Sequence, residues 1–171
     1  IMRYATLGSF GRVSRLTLGG GGIGQGWGET SRDEAAQTIK LAIDSGIDLL
    51  DTAPLYFNCE AIVGEVFAGR LPQGLRITTK CRLGSPPKGE VAERLTKSLE
   101  ASLKTMRLDR VDIFFLHTNI CPDGYVYARG AHRQADFATS WSLYRDEVIP
   151  AFERLRPYFD RALAGVDGRG S

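Results

Sequence analysis

Cysteine and histidine are scarce in this sequence of 171 residues, which contains three cysteines and two histidines. The cysteine count is odd and no two cysteines have the C-x-x-C spacing, so neither a disulfide scaffold nor a zinc site is expected. The histidines, His117 and His132, are too far apart to form a helical metal-binding pair. The sequence therefore predicts no metal site, and it favours a reducing, cytoplasmic location.

Long apolar runs and an excess of charge of one sign are also missing. No segment approaches the about 20 apolar residues that span a bilayer, and the first four residues lack the apolar core of a signal peptide. The 22 basic and 20 acidic residues leave a formal net charge of +2, which is too weak to indicate a nucleic acid or an anionic membrane. We therefore expect a small molecule as the partner, and neither nucleic acid nor membrane.

Hydrophobic residues make up 43% of the sequence, as in an ordinary globular domain, and their spacing predicts alternating strands and helices. The predicted strands are residues 12–18, 47–51, 75–80 and 111–116, and the predicted helices are 59–68, 90–106, 141–156 and one that begins at the capping box Ser31–Glu34. A shorter strand at residues 3–7 would pair with residues 12–18 as an N-terminal β-hairpin.

The four strands end at positions about 30 residues apart, which is the length of one βα unit in a parallel sheet. Either a doubly wound sheet or a (β/α)8 barrel has this order of elements. A complete barrel takes about 250 residues, so this chain would hold about half of one. Residues 157–171 contain no convincing strand, and we expect them to be an irregular or disordered tail.

Reactive side chains follow the predicted strands at their carboxyl ends, where parallel α/β proteins bind ligands. They are Asp51, Tyr56 just beyond it, Lys80 and His117. A lysine beside a phenol stabilises the phenolate, an aspartate keeps the lysine charged, and a histidine can donate a hydrogen bond to a carbonyl oxygen. The set predicts general-acid catalysis on a carbonyl that receives a hydride, although each residue alone has a structural alternative.

The glycine-rich segment 19–28 permits a second interpretation. Gly19-x-Gly21-x-x-Gly24 matches the dinucleotide-binding fingerprint literally, which leaves open a small Rossmann-like dehydrogenase. In that motif the helix begins at the glycines, whereas here the capping signal comes several residues later. We favour a flexible loop at the mouth of a site, where the backbone can approach a ligand. Trp27 in this loop could line the pocket or cap the core.

The residues around the predicted site resemble those of a known family. Asp51-Thr52-Ala53-Pro54-Leu55-Tyr56, followed by Glu60 and Gly64, resembles the D-T-A-x-x-Y-G-x-S-E-x-x-L-G signature of aldo-keto reductases. Ile77-Thr78-Thr79-Lys80 and Phe115-Leu116-His117 resemble the strands that carry the family's lysine and histidine. The resemblance covers about residues 2–156. Phe57 stands where the family usually has glycine, and the family's later strands have no counterpart here.

The resemblance implies an α/β fold, a partial TIM (β/α)8 barrel in which residues 1–156 form an N-terminal hairpin and about the first four βα units. It implies an NADPH-dependent oxidoreductase, with NADH as an alternative cofactor, that interconverts carbonyls and alcohols. If the roles of the matching family residues apply here, Tyr56 donates the proton and Lys80 tunes Tyr56 as the donor. Asp51 then pairs with Lys80, and His117 orients the carbonyl. Gly22, Asp51 and Lys80 are expected to contact the cofactor, and Trp27, Tyr56 and His117 the substrate.

A chain that is truncated relative to the family has a further consequence. Half of a barrel would leave apolar strand edges uncovered at residues 12–18 and 111–116, and such edges invite pairing with another chain. The isolated chain is therefore expected to show weak activity or none. A non-catalytic fragment or a self-associating module remains an alternative.

Overall fold

The computed structural model describes residues 1–156 as an α/β structure. Its strands are β1 (Tyr4–Thr6), β2 (Arg12–Ser14), β3 (Leu18–Gly19), β4 (Leu49–Asp51), β5 (Arg76–Cys81), β6 (Ile113–Leu116), β7 (Asn119–Cys121) and β8 (Ala138–Ser140). Its helices are α1 (Gly20–Ile23), α2 (Arg32–Asp44), α3 (Cys59–Phe67), α4 (Val91–Met106), α5 (Gln134–Phe137) and α6 (Trp141–Leu143). The predicted tail at residues 157–171 lies outside the described residues.

A parallel sheet with the strand order β3-β4-β5-β6 is the main feature of the fold. Leu18 of β3 pairs with Leu50 of β4, and Leu50 pairs with Ile77 of β5. Helices α2, α3 and α4 lie in the three connections between these strands, so the predicted α/β order is confirmed. Within the described residues the sheet does not close into a barrel, and β3 and β6 are its outer strands.

The chain divides into two compact units. The first contains residues 1–79 and 102–113, and the second contains residues 80–101 and the described residues from 114 onward. The assignment of residues 1–156 to a single half-barrel domain stays a prediction.

The core of the first unit is built from the apolar faces of its strands and helices. Its most deeply buried side chains, each less than 2% exposed, are Ile39, Leu50, Ile62, Val63, Ile77 and Met106. Burial of an isoleucine or leucine contributes about 1.5–3 kcal/mol relative to leaving it exposed. Gly64 of α3 lets this helix approach the end of α4 closely, since a Cβ there would lie 2.6 Å from the Thr105 carbonyl oxygen.

The second unit has its own apolar core. Apolar side chains on the first part of α4 are buried, together with side chains of β6 and of residues 148–155; they are Val91, Leu95, Leu99, Phe114, Val148, Ala151 and Leu155. After α6 the chain forms a π-helical turn (Tyr144–Val148) and then an α-helix over residues 149–156. Pro150 has no N–H, and its ring would clash with the carbonyl four residues earlier in a regular helix. The widened turn before it gives the ring room.

The N-terminal hairpin is confirmed, but the predicted strand at residues 12–18 is two strands. Strand β1 pairs antiparallel with β2, with Ala5 opposite Val13. The chain then turns, because the Ser14 hydroxyl donates a 2.6 Å hydrogen bond to the Leu16 carbonyl oxygen. Strand β3 begins at Leu18 and joins the parallel sheet instead.

The predicted glycine-rich loop and the segment after His117, for which no strand or helix is predicted before residue 141, both contain regular structure. The glycine-rich segment begins with helix α1 instead of a flexible loop. The segment after His117 holds β7 and β8, which pair in parallel with Asn119 opposite Ala138. No helix within residues 1–156 has the length and hydropathy needed to cross a membrane, and the cytoplasmic location stays a prediction.

Candidate active site

Asp51 is the last residue of β4, and its carboxylate is held by the neighbouring strand. Its Oδ1 accepts a 2.6 Å hydrogen bond from Oγ1 of Thr78, the residue opposite it in β5. The buried Thr52 hydroxyl donates to the Thr78 carbonyl oxygen, also at 2.6 Å. Sequence reasoning missed Thr78, although the parallel register of the two strands could have indicated it. The pairing of Asp51 with Lys80 stays a prediction.

Tyr56 lies in the loop between β4 and α3 and is half-buried. Its N–H donates to the Ala53 carbonyl oxygen at 3.0 Å, and its carbonyl oxygen accepts from the Cys59 N–H at 3.0 Å. The loop is also tied to the end of α1. The Asn58 N–H donates to the Gly24 carbonyl oxygen at 3.3 Å, and the Asn58 amide donates to Oε1 of Gln25 at 2.7 Å.

Two glycines, Gly20 of α1 and Gly24 directly after it, are required by the close approach of this loop. A Cβ at Gly20 would lie 2.5 Å from both the Asp51 carbonyl oxygen and the Cys59 Sγ. A Cβ at Gly24 would overlap the Tyr56 carbonyl oxygen and lie 2.8 Å from its carbonyl carbon. The backbone of the glycine segment therefore packs directly on the segment that carries Asp51 and Tyr56, and this contact explains the glycines without a bound phosphate.

Phe57 adopts the backbone conformation that glycine favours. Its φ is +50°, in the left-handed region, and this conformation costs a residue with a side chain roughly 1–2 kcal/mol. The ring is exposed and lies against Gly26, where a Cβ would be 3.1 Å from Cε2 of Phe57. The position that departs from the family motif therefore has the dihedral angle expected for the usual glycine.

Gly22 and Trp27 stand together at the surface of the first unit. Trp27 is 85% exposed, so it does not cap the core. Its ring covers the backbone of α1, since a Cβ at Gly21 would lie 2.9 Å from the ring and one at Gly22 would lie 3.8 Å from it. The contacts of Gly22 with a cofactor and of Trp27 with a substrate stay predictions.

Glu60 is a buried carboxylate beside the strand that leads to Lys80. It is 5% exposed, and its Oε1 accepts a 2.6 Å hydrogen bond from Oγ1 of Thr79. Buried carboxylates require such partners, because desolvation penalises the charge. The sequence identified Glu60 only as a residue of the motif, and the structure shows that it orients the side chain of Thr79.

Lys80 and His117 belong to the second unit. Lys80 is the penultimate residue of β5 and is half-buried. His117 follows β6 directly, and its N–H donates a 2.7 Å hydrogen bond to the carbonyl oxygen of Cys81. Burial raises the pKa of the Cys81 thiol above its ordinary value of 9.0, against the hydrogen bond with Ser98 and the charge of Arg94. The thiol form of this cysteine is therefore favoured.

The segment after His117 is ordered by polar contacts within the second unit. Oγ1 of Thr118 donates to the Phe137 carbonyl oxygen at 2.8 Å, and Oγ1 of the buried Thr139 donates to the Gly84 carbonyl oxygen at 2.6 Å. The Asn119 amide donates to the Tyr127 hydroxyl at 2.8 Å. The polar residues of this segment therefore have structural roles.

The four predicted catalytic residues are divided between the units. Asp51 and Tyr56 lie in the first unit, at the end of β4 and in the loop that follows it, and Lys80 and His117 lie in the second. Within the described residues no group of three or more histidine, cysteine, aspartate or glutamate side chains could hold a metal ion. The catalytic roles of the four residues stay predictions.

Comparison with known proteins identifies the class to which this α/β chain belongs. A model of the aldo/keto reductase family matches residues 15–156. The L-galactose dehydrogenase of Arabidopsis thaliana is 33% identical over 161 residues, which cover 92% of this chain and 45% of that protein. The chain belongs to the aldo/keto reductase family, as the sequence predicted.

Solved structures of the family share its fold. A glycerol dehydrogenase of Gluconobacter oxydans superimposes with a TM-score of 0.54 at 27% identity, over 90% of this chain and 51% of that one. An aldo-keto reductase of Bombyx mori in complex with NADP gives a TM-score of 0.63 at 22% identity, over 91% and 47% of the two chains. The chain thus spans about half the length of the relatives it matches. The predicted partial TIM barrel is confirmed, and the Rossmann-like alternative is not supported.

Proposed function

We propose that this chain carries the catalytic residues of an NADP-dependent oxidoreductase that interconverts carbonyls and alcohols. The family match carries the proposal, because it spans all four predicted catalytic positions, Asp51, Tyr56, Lys80 and His117. The names of two similar proteins, an L-galactose dehydrogenase and a glycerol dehydrogenase, describe oxidation of an alcohol. Since the chain spans about half the length of these proteins, the activity of the whole enzyme is part of the proposal.

The residues of the candidate site fit the reacting end of a nicotinamide cofactor. At the carboxyl end of β3 the backbone of Gly19 is open, since a Cβ there would meet nothing within 4 Å. Such a surface allows close approach of a flat ring. We assign Gly22, Asp51 and Lys80 to cofactor contact. The Bombyx mori structure supports NADP, and a parallel titration with NADH would compare the two cofactors.

When bound, the nicotinamide supplies the hydride. In the direction of reduction, Tyr56 donates its Oη proton to the carbonyl oxygen, and Lys80 stabilises the phenolate that remains. His117 donates a hydrogen bond that orients the carbonyl and stabilises the charge that develops on its oxygen. Asp51 keeps Lys80 charged, and its bond from Thr78 holds the carboxylate in one orientation. Trp27 is assigned to substrate contact.

Tyr56→Phe tests this proposal, because the substitution removes only the hydroxyl group. We expect the rate of NADPH-dependent carbonyl reduction to fall about 100-fold or more, since a positioned general acid contributes about 10²–10⁴-fold. The affinity for NADPH, measured by quenching of the fluorescence of Trp27 and Trp141, should not change.

Tyr4→Phe is the matched control. It removes the same atom from the N-terminal hairpin, where the Tyr4 hydroxyl donates to the Gly46 carbonyl oxygen at 3.3 Å, and it should leave the rate unchanged. A Tyr56→Phe variant that reduces carbonyls as fast as the unmodified chain would exclude Tyr56 as the proton donor. A chain that neither binds NADPH nor reduces carbonyls would instead be the non-catalytic fragment.

A second candidate function is that of a self-associating module. Strands β3 and β6 are the outer strands of the sheet, and Phe115 of β6 is 43% exposed. An apolar side chain on an edge strand favours edge-to-edge pairing. In this second proposal the partner is another copy of the chain.

A further inference from the structure

Two arginines of the second unit lie over the ring of one phenylalanine. The Cζ atoms of Arg82 and Arg133 lie 5.1 Å and 4.6 Å from the centroid of the Phe137 ring. Since both distances end at the same point, the two guanidinium groups are closer together than the Debye length of about 10 Å at 0.1 M salt. Their charges therefore repel each other, and the electron-rich ring attracts each of them.

The hydrogen-bond donors of both groups remain available to a ligand. A guanidinium carries five N–H donors, and the attraction of its charge to a ring does not use them in hydrogen bonds. In the part of the chain that the structure describes, the side chains of Arg82 and Arg133 form neither a hydrogen bond nor an ion pair. Other arginines of the unit differ, since Arg94 is paired with Glu90 and Arg145 with Asp146.

This cluster stands on ordered backbone beside two of the predicted catalytic residues. Arg82 follows Lys80 by two residues, at the carboxyl end of β5. The carbonyl oxygen of Phe137 accepts the hydrogen bond from Thr118, which is the residue after His117.

The segment that carries Phe137 is also fixed to the loop that follows Arg82. The Ser85 N–H donates to the Ala135 carbonyl oxygen at 2.8 Å, and the Ser85 hydroxyl donates to the Ala138 carbonyl oxygen. A Cβ at Gly84 would lie 2.9 Å from the Asp136 carbonyl oxygen, so the two backbones are in direct contact. The two arginines therefore project from segments that are held together.

We propose that Arg82 and Arg133 bind an oxyanion, and that this oxyanion is the carboxylate or phosphate group of the substrate. A guanidinium presents a fork of N–H donors that matches the geometry of either group, and bound anion would relieve the repulsion between the two charges. The assignment to a substrate rests on the proposed function, because it places the anionic group beside Lys80 and His117. The preferred substrates are then oxo acids or phosphorylated carbonyl compounds.

Calorimetric titration of the 171-residue chain with inorganic phosphate and with succinate tests the site without turnover. Arg82→Gln and Arg133→Gln each remove one charge and keep a polar side chain. Each should weaken binding about tenfold, as expected for loss of a hydrogen bond between charged groups. Unfolding midpoints, measured for every variant, would identify a loss of affinity that arises from unfolding.

Arg129→Gln is the matched control, because it removes the same charge from an exposed arginine of the same segment. It should change the affinity by no more than about twofold, as expected for a screened surface charge. Equal losses of anion affinity in all three variants would overturn the oxyanion site. The absence of saturable phosphate or succinate binding to the unmodified chain would overturn it as well.

NADP⁺ distinguishes the two sources of an oxyanion. If the site takes a substrate group, phosphate should bind with unchanged affinity at NADP⁺ concentrations that saturate the tryptophan quenching. Displacement of phosphate by NADP⁺ would assign the site to the cofactor and overturn the substrate assignment. A chain that binds phosphate through these arginines but reduces no carbonyl would support the site and contradict the proposed function alone. Carbonyl reduction without anion binding would support the proposed function and contradict the oxyanion site.

Discussion

Single residues decide how closely α1 approaches the loop that carries Tyr56. Gly24 has no space for a side chain, because the backbone of Tyr56 occupies that position. Gly19, five residues earlier in the same run, faces open space and has an ordinary φ of −79°. Glycine is therefore required for packing at position 24 and is not required for packing at position 19.

Gly24→Ala should lower the free energy of unfolding by about 1–3 kcal/mol, the usual cost of forcing a group into a packed site. Gly19→Ala should change it by less than about 0.5 kcal/mol, because the added methyl group meets no atom. Urea unfolding of the two variants, followed by tryptophan fluorescence, measures both values. Equal midpoints for the two variants would mean that α1 does not pack on the Tyr56 loop.

Helix α2 begins where its sequence predicts. The Ser31 N–H donates to Oε2 of Glu34 at 2.8 Å, and the Glu34 N–H donates to Oγ of Ser31 at 3.1 Å, which completes the capping box. The hydrogen bond from the Ser31 backbone, with a smaller contribution from the Ser31 hydroxyl, holds the pKa of Glu34 below its ordinary value of 4.5. This start depends on four consecutive residues, so it could be read from the sequence.

The capping box should make the thermal stability of the folded chain depend on pH. Because the pKa of Glu34 is lower in the folded state, its carboxylate stabilises the fold fully above pH 4.5, and this contribution is lost as the pH falls through the folded-state pKa. We expect Glu34→Gln to lower the thermal midpoint at neutral pH and to match the unmodified chain once the pH lies below the folded-state pKa of Glu34.

Glu29→Gln is the control for this comparison, because it removes an equal charge just outside the helix. It should leave the pH dependence of the midpoint unchanged. A midpoint difference for Glu34→Gln that is the same at neutral and acidic pH would contradict the assigned role of the carboxylate.

Within residues 1–156 the parallel sheet has an outer strand at each side, β3 and β6, and we expect these edges to govern self-association. Strand β3 is only two residues long, whereas β6 has four residues and exposes Phe115. We therefore expect pairing through β6, and Phe115→Lys should reduce self-association, because a charged edge opposes pairing.

Sedimentation velocity over a range of concentrations measures this association. Leu41→Lys adds the same charge in place of an exposed apolar side chain on α2, and it should leave the association unchanged. An unmodified chain that stays monomeric at every concentration would contradict the second candidate function.

The sequence by itself determined the features that depend on neighbours along the chain. The order of strands and helices, the start of α2 and the choice of Asp51, Tyr56, Lys80 and His117 as candidates all follow from local spacing and residue chemistry. These signals can be read without the fold, because apolar periodicity and capping involve residues only a few positions apart.

Only the tertiary structure decided the features whose partners are remote in the chain. Asp51 is held by a threonine 27 positions away, and Gly20 and Gly24 pack on the segment around Tyr56. The Phe137 ring lies near both Arg82 and Arg133 in a segment for which the sequence predicted neither strand nor helix, and which contains the paired strands β7 and β8. Such contacts depend on register and close packing between elements, which local spacing does not encode.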